Sequence, residues 1–221
     1  MSPRPRTIDD GAILQAAATV ISRLGPSTFT LADVARAVRL SPATLVQRFG
    51  SKRGLMLALA RMGVDGVEAC FAAVRAAHRK PLDALTAAAT EMTRYVDTPE
   101  EMANHLAFLQ IDLSDPEFYK LMLENSTRIL AGYRALLEEA MAAGEIAECD
   151  TRRLARAVGS MSGGSLIAWA VMRDGTAEAF VRKDLDTLLA PYRATNPKSQ
   201  LPKRKRPQTR DTRPKTKDRR R

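Results

Sequence analysis

Cysteine, histidine and aromatic residues are all scarce in this chain. Two cysteines, two histidines and one tryptophan are spread over 221 residues, and aromatics make up 5%. Cys70 and Cys149 are too few for a disulfide framework or a four-cysteine metal site, and with His78 and His105 they form no metal-spaced set. They read as buried small hydrophobes, and no cofactor is expected. Signatures of catalysis are missing too: there is no GxSxG elbow, no phosphate-cradling glycine loop and no HExxH. No enzyme is expected, and the pairs Glu138-Glu139 and Glu100-Glu101 read as helix surface or caps. No apolar run approaches 18 residues, and MSPRPRTIDD has no signal-peptide core. A cytoplasmic location is expected. With few aromatics and abundant Ala, Leu and Met, the composition favours packed helices over a sandwich or barrel.

Charge is plentiful but uneven. The net charge is +10, and residues 198–221 hold twelve Lys/Arg against two Asp. The remainder therefore balances, 23 basic against 23 acidic. The stretch NPKSQLPKRKRPQTRDTRPKTKDRRR has four prolines and almost no apolar residues. It cannot bury enough surface to fold, so residues 194–221 are expected to be a disordered basic tail. Such a tail would follow a phosphate backbone or merely keep the chain soluble.

Before residue 193 nearly everything reads as helix, with no internal repeat. Ile13, Ala17, Val20 and Leu24 form one apolar stripe over 9–24, stopped by Gly25-Pro26. Thr30-Leu-Ala-Asp33 is a capping box opening a second helix that ends near Val38. Ser41-Pro42 opens a third, with serine as the N-cap and proline at the position that needs no N–H, ending near Phe49-Gly50. Ser51 caps a long fourth helix over 52–78, with Leu55, Leu59, Met62, Val67, Phe71 and Val74 as inward candidates. Five more follow: 82–97, one opened by Thr98-Pro99-Glu100-Glu101, one from Asp115-Pro116 to Gly144, one from Asp150-Thr151 to Gly175, and 177–190.

Helix, short helix, tight turn, short helix is the helix-turn-helix pattern. At 100° per residue Leu45 and Phe49 define the buried side of the third helix. Ala43, Thr44 and Gln47 then face outward, with Val46 and Arg48 on the flanks. That face is small enough for a major groove. Glutamine can bond two edge atoms of adenine, and alanine and threonine methyls suit the thymine methyl. Phosphate grips would come from Lys52 and from the helix starts at Thr30 and Ser41-Pro42.

The run TLADVARAVRLSPATLVQRFGSKRGLMLAL resembles the DNA-binding region of TetR-type transcriptional regulators. Val34, Ala35, Leu40, Ser41, Thr44, Leu45, Phe49, Ser51, Lys52 and Leu55 carry the resemblance, which covers about residues 9–59. Beyond it only helix number and length match. The resemblance implies a homodimer on a palindromic double-stranded operator, usually a repressor, released by a small apolar or amphipathic effector. It also implies that the last two long helices form the dimer's four-helix bundle. Two positions depart from the pattern. Arg39 stands where the turn has glycine, costing roughly 1–2 kcal/mol if the turn needs positive φ; the preferred reading adds a phosphate contact from Arg39. Val46 stands where the pattern has tyrosine, removing a backbone contact that positions rather than specifies.

The expected fold is all-α: an N-terminal helix-turn-helix three-helix module joined by a long helix to a larger helical ligand-binding and dimerisation domain. The expected divisions are an arm over 1–8, the DNA-binding domain over 9–51, the helical domain over 52–193, and the tail. In that larger domain Met92, Tyr95, Met102, His105, Phe108, Tyr119, Met122, Tyr133 and Trp169 are effector-contact candidates, each weighed against an ordinary core role. The run Gly159-Ser-Met-Ser-Gly-Gly-Ser165 suggests close approach of another helix, against a kink or break. The dimer-seam reading takes Ser160, Gly163, Gly164, Ile167, Trp169 or Met172, Phe180 and Leu188. Two other functions stay open: a dimeric helical small-molecule- or protein-binding module that does not read DNA, and an architectural nucleic-acid binder acting through the tail.

Overall fold

The computed structural model describes residues 8–193, and the basic tail and most of the N-terminal arm lie outside the described residues. The described chain is helical throughout: α1 (Asp10–Leu24), α2 (Leu31–Ala37), α3 (Pro42–Phe49), α4 (Lys52–Ala77), α5 (Pro81–Thr90), α6 (Pro99–Ser114), α7 (Pro116–Ala142), α8 (Thr151–Met172) and α9 (Ala177–Leu189). Among the described residues no helix is long and apolar enough to cross a membrane.

Polar caps set the boundaries. Asp9, Thr30, Ser41, Ser51, Thr98, Asp115, Asp150 and Thr176 each accept a first-turn N–H through the side chain. Each such cap stabilises a helix start by about 1 kcal/mol. One element differs from expectation. The fifth helix stops at Thr90 and a 3-10 segment, Glu91–Tyr95, completes it. Thr90 and Thr93 bond back to backbone carbonyls three and four residues earlier. Such bonds compete with regular helix geometry.

Three apolar clusters hold the molecule. The first joins α1–α3 to the start of α4 through Ile13, Phe29, Val34, Leu45 and Leu55, all fully buried. Phe118 of α7 enters this same cluster, and Phe108 and Ile111 of α6 pack against it. The N-terminal module therefore shares its core with the larger domain. The second cluster fills the space between α4, α5, α7, α8 and α9, and the third joins α6, α8 and α9 through Met102, Leu166, Trp169 and Val181.

Along the α4–α7 seam, ion pairs join Arg53 to Asp115, Arg61 to Glu124, Glu68 to Arg128 and Arg75 to Glu139. The numbers rise together, so the two helices run parallel there. Exposed pairs of this kind contribute at most about 1 kcal/mol each, so they fix register more than they add stability. Gly132 lets the helices close: a Cβ there would lie 2.4 Å from the Phe71 ring.

Candidate nucleic-acid interface

The sequence of α2, turn and α3 dictates its geometry. The Thr30 hydroxyl accepts from Asp33 N–H at 3.3 Å, and the Asp33 carboxylate accepts from Thr30 N–H at 2.9 Å. Hydrogen bonds from Thr30 hold the Asp33 carboxyl below its ordinary range. At the end of α2, Leu40 N–H reaches Ala35 O at 2.9 Å and Arg39 N–H reaches Arg36 O at 3.3 Å. That pair of bonds is a Schellman motif, whose turn residue adopts the left-handed conformation that glycine takes most easily. Arg39 occupies it with φ of 56°. The departure from glycine is thus accommodated by strain, at roughly 1–2 kcal/mol.

Leu45 is fully buried, Phe49 is half-buried, and Ala43, Val46 and Gln47 are exposed. Thr44 is half-buried, and its hydroxyl lies 2.8 Å from that of Ser41. So α3 presents Ala43, Gln47 and the edge of Thr44 as one outward strip, with Val46 beside it. Ser41 and Pro42 sit exposed at the head of this strip, and Thr30 at the head of α2.

The cations divide into two kinds. Arg39 is exposed and makes no ion pair among the described residues. Arg48 and Lys52 are tied into the module. Arg48 donates to Ile8 O at 2.6 Å and to Asp10 at 3.1 Å, which fastens the start of the chain to the flank of α3. Lys52 donates to Ser27 O at 2.9 Å and lies 4.4 Å over the Phe29 ring. Burial lowers its pKa. These partners give a local reason for a cation at the start of α4, where the helix dipole opposes one.

Contacts that composition did not suggest join this module to the rest. Asn104 of α6 donates through Nδ2 to Ser22 O at 2.8 Å and Arg23 O at 3.1 Å, capping the last carbonyls of α1. Ser22 Oγ donates to Tyr95 O at 2.7 Å. At the α6–α7 turn Arg53 grips Asp115 with two nitrogens, at 2.9–3.3 Å, and also pairs with Glu117. An open cleft of about 360 Å³ lies there, lined by Lys52, Arg53, Met56, Ile111, Asp115 and Phe118. No motif marks Asn104 or Ser22, because both act on backbone carbonyls distant in sequence.

The effector-contact candidates do not converge on one cavity. Met92, Tyr95 and Tyr119 are on the surface. Met102, Tyr133 and Trp169 are core residues. The two polar-tipped ones have partners there: the Tyr133 hydroxyl donates to Ala88 O and the Trp169 indole N–H to Gly175 O. Burial pushes the Tyr133 phenol up to about 12. Tyr133, Phe108 and Trp169 belong to three different apolar clusters. Only His105, Phe108 and Met122 of these candidates are half-buried, neither closed in the core nor open on the surface.

The glycine-serine run lies inside an unbroken α8, so the helix does not break there. Ser162 and Ser165 face inward, and Gly159 abuts Leu130. Ser160, Gly163, Gly164 and Ile167 face out, joined by Val171 and Met172, and open space surrounds both exposed glycines. Phe180 and Leu188 of α9 are half-buried.

One prediction arises at the turn. Arg39→Gly should raise the melting temperature by about 1–4 °C, because glycine relieves the left-handed strain while adding some unfolded-state entropy. If Arg39 touches a phosphate, the same variant lowers the salt-dependence slope of DNA binding by about one. Thermal melts and titrations at several salt concentrations read the two effects separately.

Comparison with known proteins agrees with this geometry. The family model described as bacterial regulatory proteins, tetR family, matches residues 13–59. No curated protein matches the chain. Among solved structures, the TetR family transcriptional regulator PfmR from Thermus thermophilus is 25% identical, covering 83% of this chain and 96% of that one, with a TM-score of 0.55. The transcriptional regulator FadR from Bacillus subtilis, in complex with stearoyl-CoA, is 17% identical over 82% of this chain and 98% of that one, at 0.61. A transcriptional regulator from Saccharomonospora viridis, in complex with choline, is 18% identical over 85% and 98%, at 0.65.

Proposed function

We propose, from the premise that this chain carries the TetR-family DNA-binding module on a TetR-type fold, that it is a ligand-responsive regulator of transcription. The observation that carries the reading is the outward strip of Ala43, Thr44 and Gln47 on a helix held by buried Leu45. Gln47 reads a base edge, Ala43 and Thr44 offer methyl contacts, and Arg39 with the starts of α2 and α3 (Thr30, Ser41, Pro42) grips phosphates. Arg48 and Lys52 position the module and reach DNA at its edge. Residues 9–51 form the reading domain and 52–193 the sensing and pairing domain.

In this reading two copies pair through the exposed face of α8, Ser160, Gly163, Gly164 and Ile167, with Phe180 and Leu188 of α9 at its margin. Two-fold pairing makes the operator palindromic, and repression from the cytoplasm is the simplest outcome. The B. subtilis and S. viridis structures hold stearoyl-CoA and choline, which favours a small amphipathic effector here also. A gel shift of the protein on its own upstream DNA, with excess competitor DNA, tests the reading. Site-specific retention supports it. Smearing that salt abolishes equally on all DNA supports instead the alternative, a helical ligand- or protein-binding module, for which Arg39 and Val46 speak.

The tail has its own expected result. Deleting residues 198–221 lowers DNA affinity and flattens its salt dependence, and leaves base preference intact, because phosphate contacts carry affinity without sequence. Equal binding by the two proteins at low and high salt would remove the tail from the interface.

A further inference from the structure

Asp112 is half-buried and has neither an ion pair nor a side-chain hydrogen bond among the described residues, whereas the half-buried carboxylates Glu101, Glu145 and Asp184, which also lack an ion pair, each accept a hydrogen bond. Other half-buried carboxylates on α7 and its cap answer to a cation, Asp115 to Arg53 and Glu124 to Arg61 and Arg128. Burial alone acts on the Asp112 carboxyl and pushes it up to about 6. Its place compounds the problem, since it lies in the last turn of α6, at the negative end of the helix dipole.

The neighbours on its stripe make a pattern. Met102, His105, Leu109 and Asp112 recur at spacings of three, four and three and are buried or half-buried, while Ala103, Leu106, Gln110 and Leu113 face solvent. His105 stands two turns from Asp112, about 10 Å along the axis. Burial lowers its pKa, with no partner contributing. The inward stripe of α6 therefore presents a carboxyl and an imidazole, with a leucine between them and Met102 beyond. On the adjoining stripe, the same helix grips α1 through Asn104 and packs Phe108 and Ile111 against the DNA-reading core.

We propose that this stripe is the effector contact and that the effector is an organic cation, a protonated amine or quaternary ammonium, seated on Asp112 with its apolar body running along Leu109 toward His105. The inference rests on the regulator reading for its consequence. A cation supplies the charge that Asp112 lacks, and any shift of α6 that this causes bears directly on the carbonyls at the end of α1. His105, neutral through burial, gives or takes one hydrogen bond at the far end.

Hexyltrimethylammonium, hexanoate and hexanol serve as probes on the full chain, with Asp112→Asn and Asp112→Glu as variants. The ammonium should raise the melting temperature saturably, and its apparent affinity should fall about ten-fold or more in Asp112→Asn, the loss expected when a charged partner is removed. Asp112→Glu should retain most of the response, and hexanoate and hexanol should show none of this charge dependence. Asp112→Asn also checks folding. The unfolded carboxyl ionises near its ordinary value of 3.8 and the folded one near 6, so the wild type bears the penalty of the unpaired charge as pH rises through that window. The variant should therefore melt above wild type at pH 8 and level with it at pH 4. Titratable groups common to both proteins cancel in the difference. Undiminished ammonium binding by Asp112→Asn, or preferential binding of hexanoate, overturns the proposal. Specific DNA retention without any ammonium effect overturns it too, and leaves the regulator reading standing. Asp112-dependent ammonium binding without specific DNA retention supports it, and sinks the regulator reading instead.

Discussion

Gly132→Ala is expected to lower the melting temperature by several degrees, although glycine-to-alanine changes inside helices ordinarily raise it. The reversal comes from the α4–α7 seam. An added Cβ at Gly132 would lie 2.4 Å from two atoms of the Phe71 ring and 2.6 Å from a third. Phe71 is 6% exposed and stands edge-to-face with Tyr133, ring centres 5.6 Å apart. The ring has no open side to swing into, so the helices must separate or the core must shift. Overpacking of this kind costs about 1–3 kcal/mol, against a helix-propensity gain of about 0.5–1 kcal/mol. At about 2–4 °C per kcal/mol for a chain of this size, the net effect is readable. Gly63→Ala on the exposed side of α4, where nothing lies within 4 Å, is the control and should melt higher than wild type. A Gly132→Ala protein as stable as wild type would show that the seam is looser than its geometry states. The functional consequence runs through α4, which begins at Lys52, three residues beyond the end of α3. Under the proposed function, a shift of this seam is expected to re-aim α3.

Helix starts were legible because they are local. A serine, threonine or aspartate followed by proline or by an acid three residues on satisfies its own first turn, and four caps of this kind, Thr30, Ser41, Thr98 and Asp115, stand where the pattern places them. The orientation of α3 was legible for the same reason, since Leu45 and the outward strip follow from helix periodicity alone. Lateral positions in the larger domain were not. Tyr133 and Trp169 look like polar-tipped pocket residues in sequence, yet each finds a carbonyl partner that only folding supplies. Lys52 looked like a phosphate grip, and the fold offers it Ser27 O and Phe29. Asn104 carried no signal because its targets lie about eighty residues away. Asp112 did carry one: an acid in the last turn of a helix, where the dipole favours a cation.

Gln47→Ala is the substitution expected to cost specific DNA binding most. Gln47 is exposed on α3 and opposite the buried side, and alanine keeps the helix, so stability should hold within about 0.5 kcal/mol. A bidentate contact to a base edge is worth about 1–3 kcal/mol of discrimination, or roughly 5- to 150-fold in affinity for the preferred site. Binding to unrelated DNA should not change, because phosphate contacts carry it. Preference should relax at one base pair in each half-site, the same one in both, since a two-fold dimer reads each half alike. Titration on the selected operator, on operators altered at single positions and on scrambled DNA checks all of this. An equal fall on every DNA would make Gln47 a phosphate contact, and no change on any would take α3 out of the groove. The contrast with Arg39 is the sharper test of the interface. Loss at Arg39 should appear in the salt slope and spare base preference, while loss at Gln47 should appear in base preference and spare the slope. Two residues eight positions apart, one strained into its turn and one simply exposed on its helix, would then divide grip from reading.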